Sequence, residues 1–297
     1  MMKKVLITGA GSYIGTSFEK YVNNRYPDKL DIKTIDMLDG SWRSAEFAGS
    51  DIVFHVAGIA HADTGKASDE VKAKYYAVNR DLAIETAEKA KAEGVKQFVF
   101  MSSVIIYGDS APFGKTKVIT ADTVPSPAGF YGDSKWQADQ GIRELADESF
   151  TVTVLRPPFI YGKGCKGNYR TLSAMAKKLP VFPKAENERS MLYIENLCEF
   201  LVQVMERCEG GIFHPQNAEY TKTSDMVRMI GEASGKRIRV TRLLDPAVRL
   251  ACIMPGKIGK LTNKAFGNMT IDRTLSRYDF DYSQVDFKTS IERTESI

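Results

Sequence analysis

Three residues of this 297-residue sequence have the types and order to move a proton: Ser103, Tyr131 and Lys135. Tyr131 and Lys135, in FYGDSK, stand four apart where a helix is expected to begin, so both side chains project from one face. A phenol with a pKa near 10 is a poor base at neutral pH, but neighbouring positive charge stabilises the phenolate and brings it toward the working range. Ser103 ends the apolar run QFVFMSS, where its hydroxyl could hydrogen-bond the oxygen whose proton Tyr131 moves. Taken singly, each residue has a plainer reading: a Tyr/Lys pair on an exposed helix face, or a Ser closing a strand. Their chemistry depends on what precedes them.

What precedes them is VLITGAGSYIG, with Gly9, Gly11 and Gly15 between a β-branched run and a helical one. A pyrophosphate bound there would meet backbone N–H groups at a helix N-terminus, and the glycines allow close approach. Ser12, Tyr13 and Ile14 complete that turn. Asp36 follows Gly15 by 21 residues and ends a second β-branched run, where a carboxylate accepts hydrogen bonds from ribose hydroxyls. Met37 and Leu38 come next, with no positive charge for a 2′-phosphate, so NAD is expected rather than NADP. A positive nicotinamide ring would then supply part of the charge that Tyr131 needs.

The elements that must position these residues alternate. Runs at Lys4–Thr8, Ile32–Asp36, Asp51–Val56, Gln97–Ser102 and Thr151–Leu155 read as strands. Asp81 to Glu93 reads as a helix, with apolar positions at Leu82, Ile84, Ala87 and Ala90 and a stop at Gly94. In DIVFHV and FVFMSS the apolar residues run on instead of alternating, as burial on both faces requires. The pattern predicts an α/β fold with a doubly wound, Rossmann-like parallel sheet and a smaller C-terminal substrate-binding unit. The dinucleotide-binding part spans 1–162, with about 190–216 returning to it, and 163–297 is mainly the substrate unit.

Hydrophobic residues at 43% and charged residues at 26% exclude a disordered or membrane-embedded chain. The 41 basic against 37 acidic residues leave +4, too little to indicate nucleic acid as partner. The chain should be cytoplasmic: the N-terminus lacks the apolar stretch of a signal peptide, and Cys165, Cys198, Cys208 and Cys252 form no C-x-x-C pair. Neither they nor His55, His61 and His214 have metal-ligand spacing, so no metal is expected. The most apolar late stretch, Ala247 to Ile258, is broken by Arg249, Pro255 and Lys257 and cannot span a bilayer, so no membrane partner is expected either.

The segments TGAGSYIG, DIVFHVAG, YYAVNRDLA, FVFMSSVIIYG, YGDSK, LRPPFIYG, GNYRTL and RSMLYIENL belong to a resemblance that covers nearly the whole chain. By them the sequence resembles the extended short-chain dehydrogenase/reductase family, and within it UDP-glucose 4-epimerase-like enzymes. The resemblance implies that Ser103, Tyr131 and Lys135 form the catalytic triad, with Tyr131 and Lys135 also meeting NAD. It places Ala57, Gly58 and Asn79 near the nicotinamide, and Asn168 and Arg189 on a nucleoside diphosphate sugar, where a guanidinium suits a phosphate. His61 falls where the family puts sugar-facing residues. Two departures stand out: Ser12 occupies the place of the loop's usual middle glycine, and the second phosphate-binding arginine has only Lys257, Lys260, Lys264 and Arg273 as candidates.

Family dehydratases carry an acidic pair after the catalytic Ser or Thr; here Val104 and Ile105 stand there, which argues against dehydration. The resemblance thus implies a 4-epimerase working by hydride removal and return at C4, with a 4-keto-sugar reductase of surface-polysaccharide synthesis as the alternative. A non-catalytic dinucleotide-binding regulator would be expected to have lost the triad, and a steroid-type dehydrogenase would have no use for Asn168 and Arg189. The basic stretches Lys163–Arg189 and Lys257–Arg277 fit an anionic diphosphate substrate. The family's dimer bundle would be built here from helices at Asp81–Glu93 and Lys135–Glu148, implying a homodimer.

Overall fold

A computed structural model describes residues 2–60 and 67–296 of the protein. Its strands, in chain order, are β1 (Lys3–Thr8), β2 (Leu30–Ile35), β3 (Ile52–His55), β4 (Gln97–Met101), β5 (Val118–Ile119), β6 (Thr151–Leu155), β7 (Phe159–Tyr161), β8 (Val181–Pro183), β9 (Met191–Tyr193), β10 (Gly211–Phe213), β11 (Arg239–Thr241) and β12 (Thr270–Ile271). The α-helices are α1 (Tyr13–Arg25), α2 (Asp69–Tyr76), α3 (Leu82–Ala92), α4 (Phe130–Arg143), α5 (Asn168–Ala176), α6 (Ile194–Arg207), α7 (Thr223–Ala233), α8 (Asp245–Ile253), α9 (Lys257–Phe266) and α10 (Phe287–Glu295).

Six strands form one parallel sheet in the order β2-β1-β3-β4-β6-β10. The chain winds outward from β1 to β2, then crosses back over β1 to β3, so the winding reverses between β1 and β3. At such a reversal the loops leave the strand ends in opposite directions and open a crevice. Every residue of β3 and β4 is buried, which is why their sequences lack alternation. The five expected strands are all present, with ends within about two residues of those read from the sequence.

The helix expected at Asp81–Glu93 belongs to a longer run. α2 passes through a π-turn, Ala77–Asp81, into α3, and the turn buries Asn79. Such an insertion leaves the 3.6-residue periodicity on either side and so escapes a reading based on that period. Farther along, α6 packs on α1 and β10 extends the sheet edge beside β6. One continuous apolar core runs from Val5 and Ile7 in β1, through Leu197 and Phe200 in α6, to Ile291 in α10. Short two-stranded ladders, β7 with β9, β8 with β11 and β5 with β12, carry the intervening chain away from the main sheet.

A histidine lies inside this sheet. His55 pairs in register with Thr8, and the Thr8 hydroxyl shares a 2.8 Å hydrogen bond with its Nδ1, tying β1 to β3 at the reversal. Its ring stacks near Phe98 and Phe100 of β4, at 6.0 and 6.1 Å. Burial pushes its pKa down from 6.5 to about 3. Between those values the unfolded chain binds a proton that the folded one refuses, so this residue's contribution is complete above pH 6.5 and is lost as pH falls toward 3. The expected slope is up to about 1.4 kcal/mol per pH unit. In His55→Phe that component should vanish, which urea unfolding at a series of mildly acidic pH values would read as a shallower acid limb.

Candidate active site

At the reversal, the loops after β1 and β3 touch. Gly9 has φ 121°, and a Cβ there would fall 2.8 Å from the backbone nitrogen of Ala57, so only glycine fits. The N–H groups of Gly9 and Ala10 donate to the carbonyl of Ile35, at 3.0 and 3.1 Å, which draws the loop beside Asp36. Asp36 is exposed, and its Oδ1 accepts the N–H of Leu38 at 3.0 Å, so it combines a turn role with a free approach from solvent. Ser12 caps α1, its Oγ accepting the N–H of Gly15 at 3.2 Å; its own O–H remains available to donate to an anion.

The side chains of Tyr13 and Ile14 pack against the core. What these two residues offer a ligand is therefore their backbone N–H groups, which have no acceptor within the first turn of a helix. A loop closed by Gly9, with the N–H groups of Tyr13 and Ile14 and the Ser12 hydroxyl left to donate, fits a dinucleotide pyrophosphate.

Beside it, Lys135 is buried, with Nζ donating to the carbonyl of Met101 at 3.0 Å and lying 5.0 Å from the centre of the Phe100 ring. Burial lowers its pKa to about 8, against the opposing pull of Asp139. A Cβ on Gly58 would stand 3.2 Å from Asn79 Oδ1 and 3.3 Å from Lys135 Nζ, so these three residues converge. Asn79 clamps the loop after β3 to α4: its Oδ1 accepts the N–H of Ile59 at 2.8 Å, and its Nδ2 donates to Ile59 O at 3.0 Å and to Ser134 Oγ at 3.3 Å. The π-turn aims Asn79 at that loop.

Ser103 caps a short 3-10 turn, Val104–Tyr107, its Oγ accepting the N–H of Ile105 at 3.3 Å. Helix α4 sits directly on this turn, since a Cβ on Gly132 would be 2.9 Å from Ile105 O. Gly132 is next to Tyr131, so the packing brings the phenol's backbone against the Ser103 turn. Tyr131 meets the Tyr75 ring edge-on at 6.0 Å, and burial pushes its pKa up to about 12. The Lys135 ammonium, engaged with the Met101 carbonyl, does not offset this, so the chain by itself holds the phenol protonated.

A buried network that the sequence reading missed fixes α4. Asp139, fully buried one turn beyond Lys135, accepts from Arg156 Nε at 2.9 Å and Nη2 at 2.7 Å. Arg156 Nη1 donates to Tyr107 Oη at 2.8 Å, and Tyr107 bonds His214 Nε2 at 2.9 Å. Burial lowers His214 to about pH 4, so the imidazole stays neutral there. The available signals were the spacing of Asp139, four residues from Lys135 on one helix face, and an arginine directly after a strand.

A second cavity, of about 410 Å³, lies beyond the sheet and is lined by Phe159, Asn168, Leu172, Arg189, Met226 and Phe266, among others. Here the structure brings together two residues expected to meet substrate. Asn168 opens α5, and the half-buried Arg189 donates from Nη1 to Lys264 O at 2.8 Å. Of the remaining basic candidates, Lys264 lines this cavity, whereas Arg273 lies over the Tyr220 ring at 4.6 Å. The segment after β6 joins the two sites: Pro157 O accepts the N–H of Val104, and Phe159 reaches the cavity. His61 lies outside the described residues. Among the described residues no His/Cys/Asp/Glu cluster could hold a metal, and no helix is long and apolar enough to cross a membrane.

A parallel sheet whose winding reverses at a glycine turn, with a buried lysine and a half-buried tyrosine on the adjoining helix, defines an NAD-dependent α/β enzyme of the short-chain dehydrogenase type. A profile described as the NAD dependent epimerase/dehydratase family matches residues 5–215, and the chain belongs to that family. It is 28% identical to a UDP-glucose 4-epimerase of Vibrio cholerae, over 95% of this chain and 88% of that protein. It is 25% identical to an N-acetyl-alpha-D-glucosaminyl-diphospho-ditrans,octacis-undecaprenol 4-epimerase of Escherichia coli O157:H7, over 96% and 89%. Its fold matches the crystal structure of a UDP-glucuronic acid 4-epimerase from Bacillus cereus in complex with NAD, with a TM-score of 0.70 at 17% identity, over 98% of this chain and 97% of that one.

Removing one partner of the Arg156–Asp139 pair leaves a buried charge uncompensated. Asp139→Ala should therefore lower stability by about 3–5 kcal/mol, read from denaturant midpoints.

Proposed function

We propose that the protein is an NAD-dependent 4-epimerase of a nucleoside diphosphate hexose, of the UDP-hexose type. The observation that supports this reading is the seating of α4, which carries Tyr131 and Lys135, on the Ser103 turn: Gly132 lies against Ile105 O and Lys135 Nζ donates to Met101 O, two residues before Ser103. The residues after Ser103 support it: Val104 and Ile105 have no acid–base chemistry, which disfavours dehydration. Both named relatives are 4-epimerases of a hexose carried on a diphosphate, one nucleoside-linked and one lipid-linked.

On this reading Gly9, Gly11, Ser12, Gly15 and the N–H groups of Tyr13 and Ile14 hold the pyrophosphate of NAD. Asp36 takes the adenosine ribose, and Ala57, Gly58, Asn79 and Lys135 surround the nicotinamide end. NAD, when bound, supplies a hydride acceptor at C4 of the sugar and gives the hydride back. Ser103 donates its O–H to the C4 oxygen while Tyr131 takes the hydroxyl proton and later returns it. Because burial pushes the Tyr131 pKa up to about 12, its activation depends on positive charge that arrives with the nicotinamide, beyond the Lys135 ammonium already present. Asn168 and Arg189 grip the diphosphate, leaving the sugar free to turn and present its other face.

The reading also makes the enzyme a cytoplasmic homodimer through α3 and α4, which sedimentation would test. Purified protein should interconvert UDP-glucose and UDP-galactose and release stoichiometric NAD on denaturation. Protein that carries no cofactor and oxidises NADH with a 4-keto sugar would instead be a reductase. Tyr131→Phe should cut kcat by about 10²- to 10⁴-fold with NAD content unchanged. Arg189→Met should raise KM roughly 10- to 100-fold with less effect on kcat, the worth of a charge-assisted hydrogen bond.

A further inference from the structure

Among the described residues, seven of the fifteen exposed large apolar side chains fall within nineteen consecutive positions, Leu243 to Leu261. Leu243 is 87% exposed, Ile253 79%, Leu261 65% and Leu250 61%. Leu250, Ile253 and Leu261 belong to the α8–α9 hairpin, whose inner side buries Val248 and Phe266, and Leu243 to the 3-10 turn just before it. On α8, Leu250 and Ile253 are one turn apart and face outward with exposed Arg249 beside them; on α9, Ile258 and Leu261 face outward with Lys264 a turn later. The hairpin turns tightly: Gly256 has φ 79°, and a Cβ on Gly259 would fall 2.0 Å from Met254 O. A scattered exposed leucine needs no explanation, but seven exposed apolar side chains on adjoining elements do.

Charge decides what the patch fits. Residues 239 to 264 hold six basic side chains against one acidic, Asp245. A second copy of this chain would set like charges face to face, and the cores of protein interfaces are depleted in lysine. An anionic bilayer surface matches both halves of the pattern, taking apolar side chains below the headgroups and basic ones at their level. The stretch that charges and a proline prevent from spanning a membrane is thus suited to lying on one. Leu261 and Lys264 also line the 410 Å³ cavity, as does Met175, 42% exposed on α5, so the patch is continuous with the cavity mouth.

We propose that the outer face of α8 and α9 docks on an anionic lipid bilayer and holds the cavity mouth at the headgroup layer. The consequence, which rests on reading that cavity as the diphosphate-sugar site, is that the nucleoside diphosphate sugar enters and leaves the cavity at the headgroup layer.

The test is co-sedimentation with vesicles of phosphatidylcholine containing about 30% phosphatidylglycerol, against phosphatidylcholine alone. The protein should bind the anionic vesicles at least tenfold more tightly and lose that preference in high salt. Leu250→Glu with Ile253→Glu should weaken vesicle binding at least tenfold and leave UDP-hexose turnover unchanged. Absence of binding to anionic vesicles, or binding that the double variant retains, overturns the proposal. So does a wild-type dimer that the double variant converts to monomer without any vesicle binding, which would assign the face to a second copy. Failure of the epimerase reading would appear only in the UDP-hexose assay, since vesicle binding is read without substrate.

Discussion

The arrangement of this protein follows from the reversal of winding between β1 and β3. Two parallel neighbours whose connections leave in opposite directions cannot cover their own carboxyl ends, and the gap must be filled by loop backbone. Here it is filled at contact distance: Gly9 against Ala57 across the gap, with Thr8 and His55 locked by a hydrogen bond one residue below. The lock is made inside an apolar sheet, where an unprotonated imidazole is favoured by burial. A close-packed glycine loop and a fixed floor beneath it are two results of that one topological step.

The buried ammonium of Lys135 is the second constraint. A charge removed from water must find acceptors, and Lys135 finds the carbonyl that ends β4, with Asp139 one helical turn away favouring the charged form. Asp139 is itself held by Arg156, and Arg156 by Tyr107, so α4, β6 and the Ser103 turn share one polar chain. Orientation of the tyrosine follows from this chain, while its protonation does not: burial works against ionisation until more positive charge arrives.

Beyond the sheet lies a second group of polar residues, apart from the first. The carboxyl edge carries Ser103, Tyr131 and Lys135, and the cavity under α5, α7 and α9 carries Asn168 and Arg189. The short link from Arg156 to Phe159 connects them, so that a ligand held in the cavity by its anionic part can extend toward Ser103. The same cavity shares Leu261 and Met175 with the exposed apolar side chains around its mouth.

Local rules made much of this legible in the sequence. Glycines at 9, 11 and 15, an acidic strand end at 36, and a Tyr/Lys pair one helical turn apart depend on backbone geometry and residue spacing, which are written in consecutive residues. Continuous apolar runs likewise announced strands buried on both faces. Only the tertiary structure decided the rest. The π-turn that aims Asn79, the inward turn of the Tyr13 side chain, and the Arg156–Asp139–Tyr107–His214 chain join residues up to 107 positions apart. The outward face of α8 and α9 belongs with these. An amphipathic helix shows from its sequence that it has an apolar face, but whether that face meets core or solvent depends on which neighbours pack against it, and that is set by the whole fold.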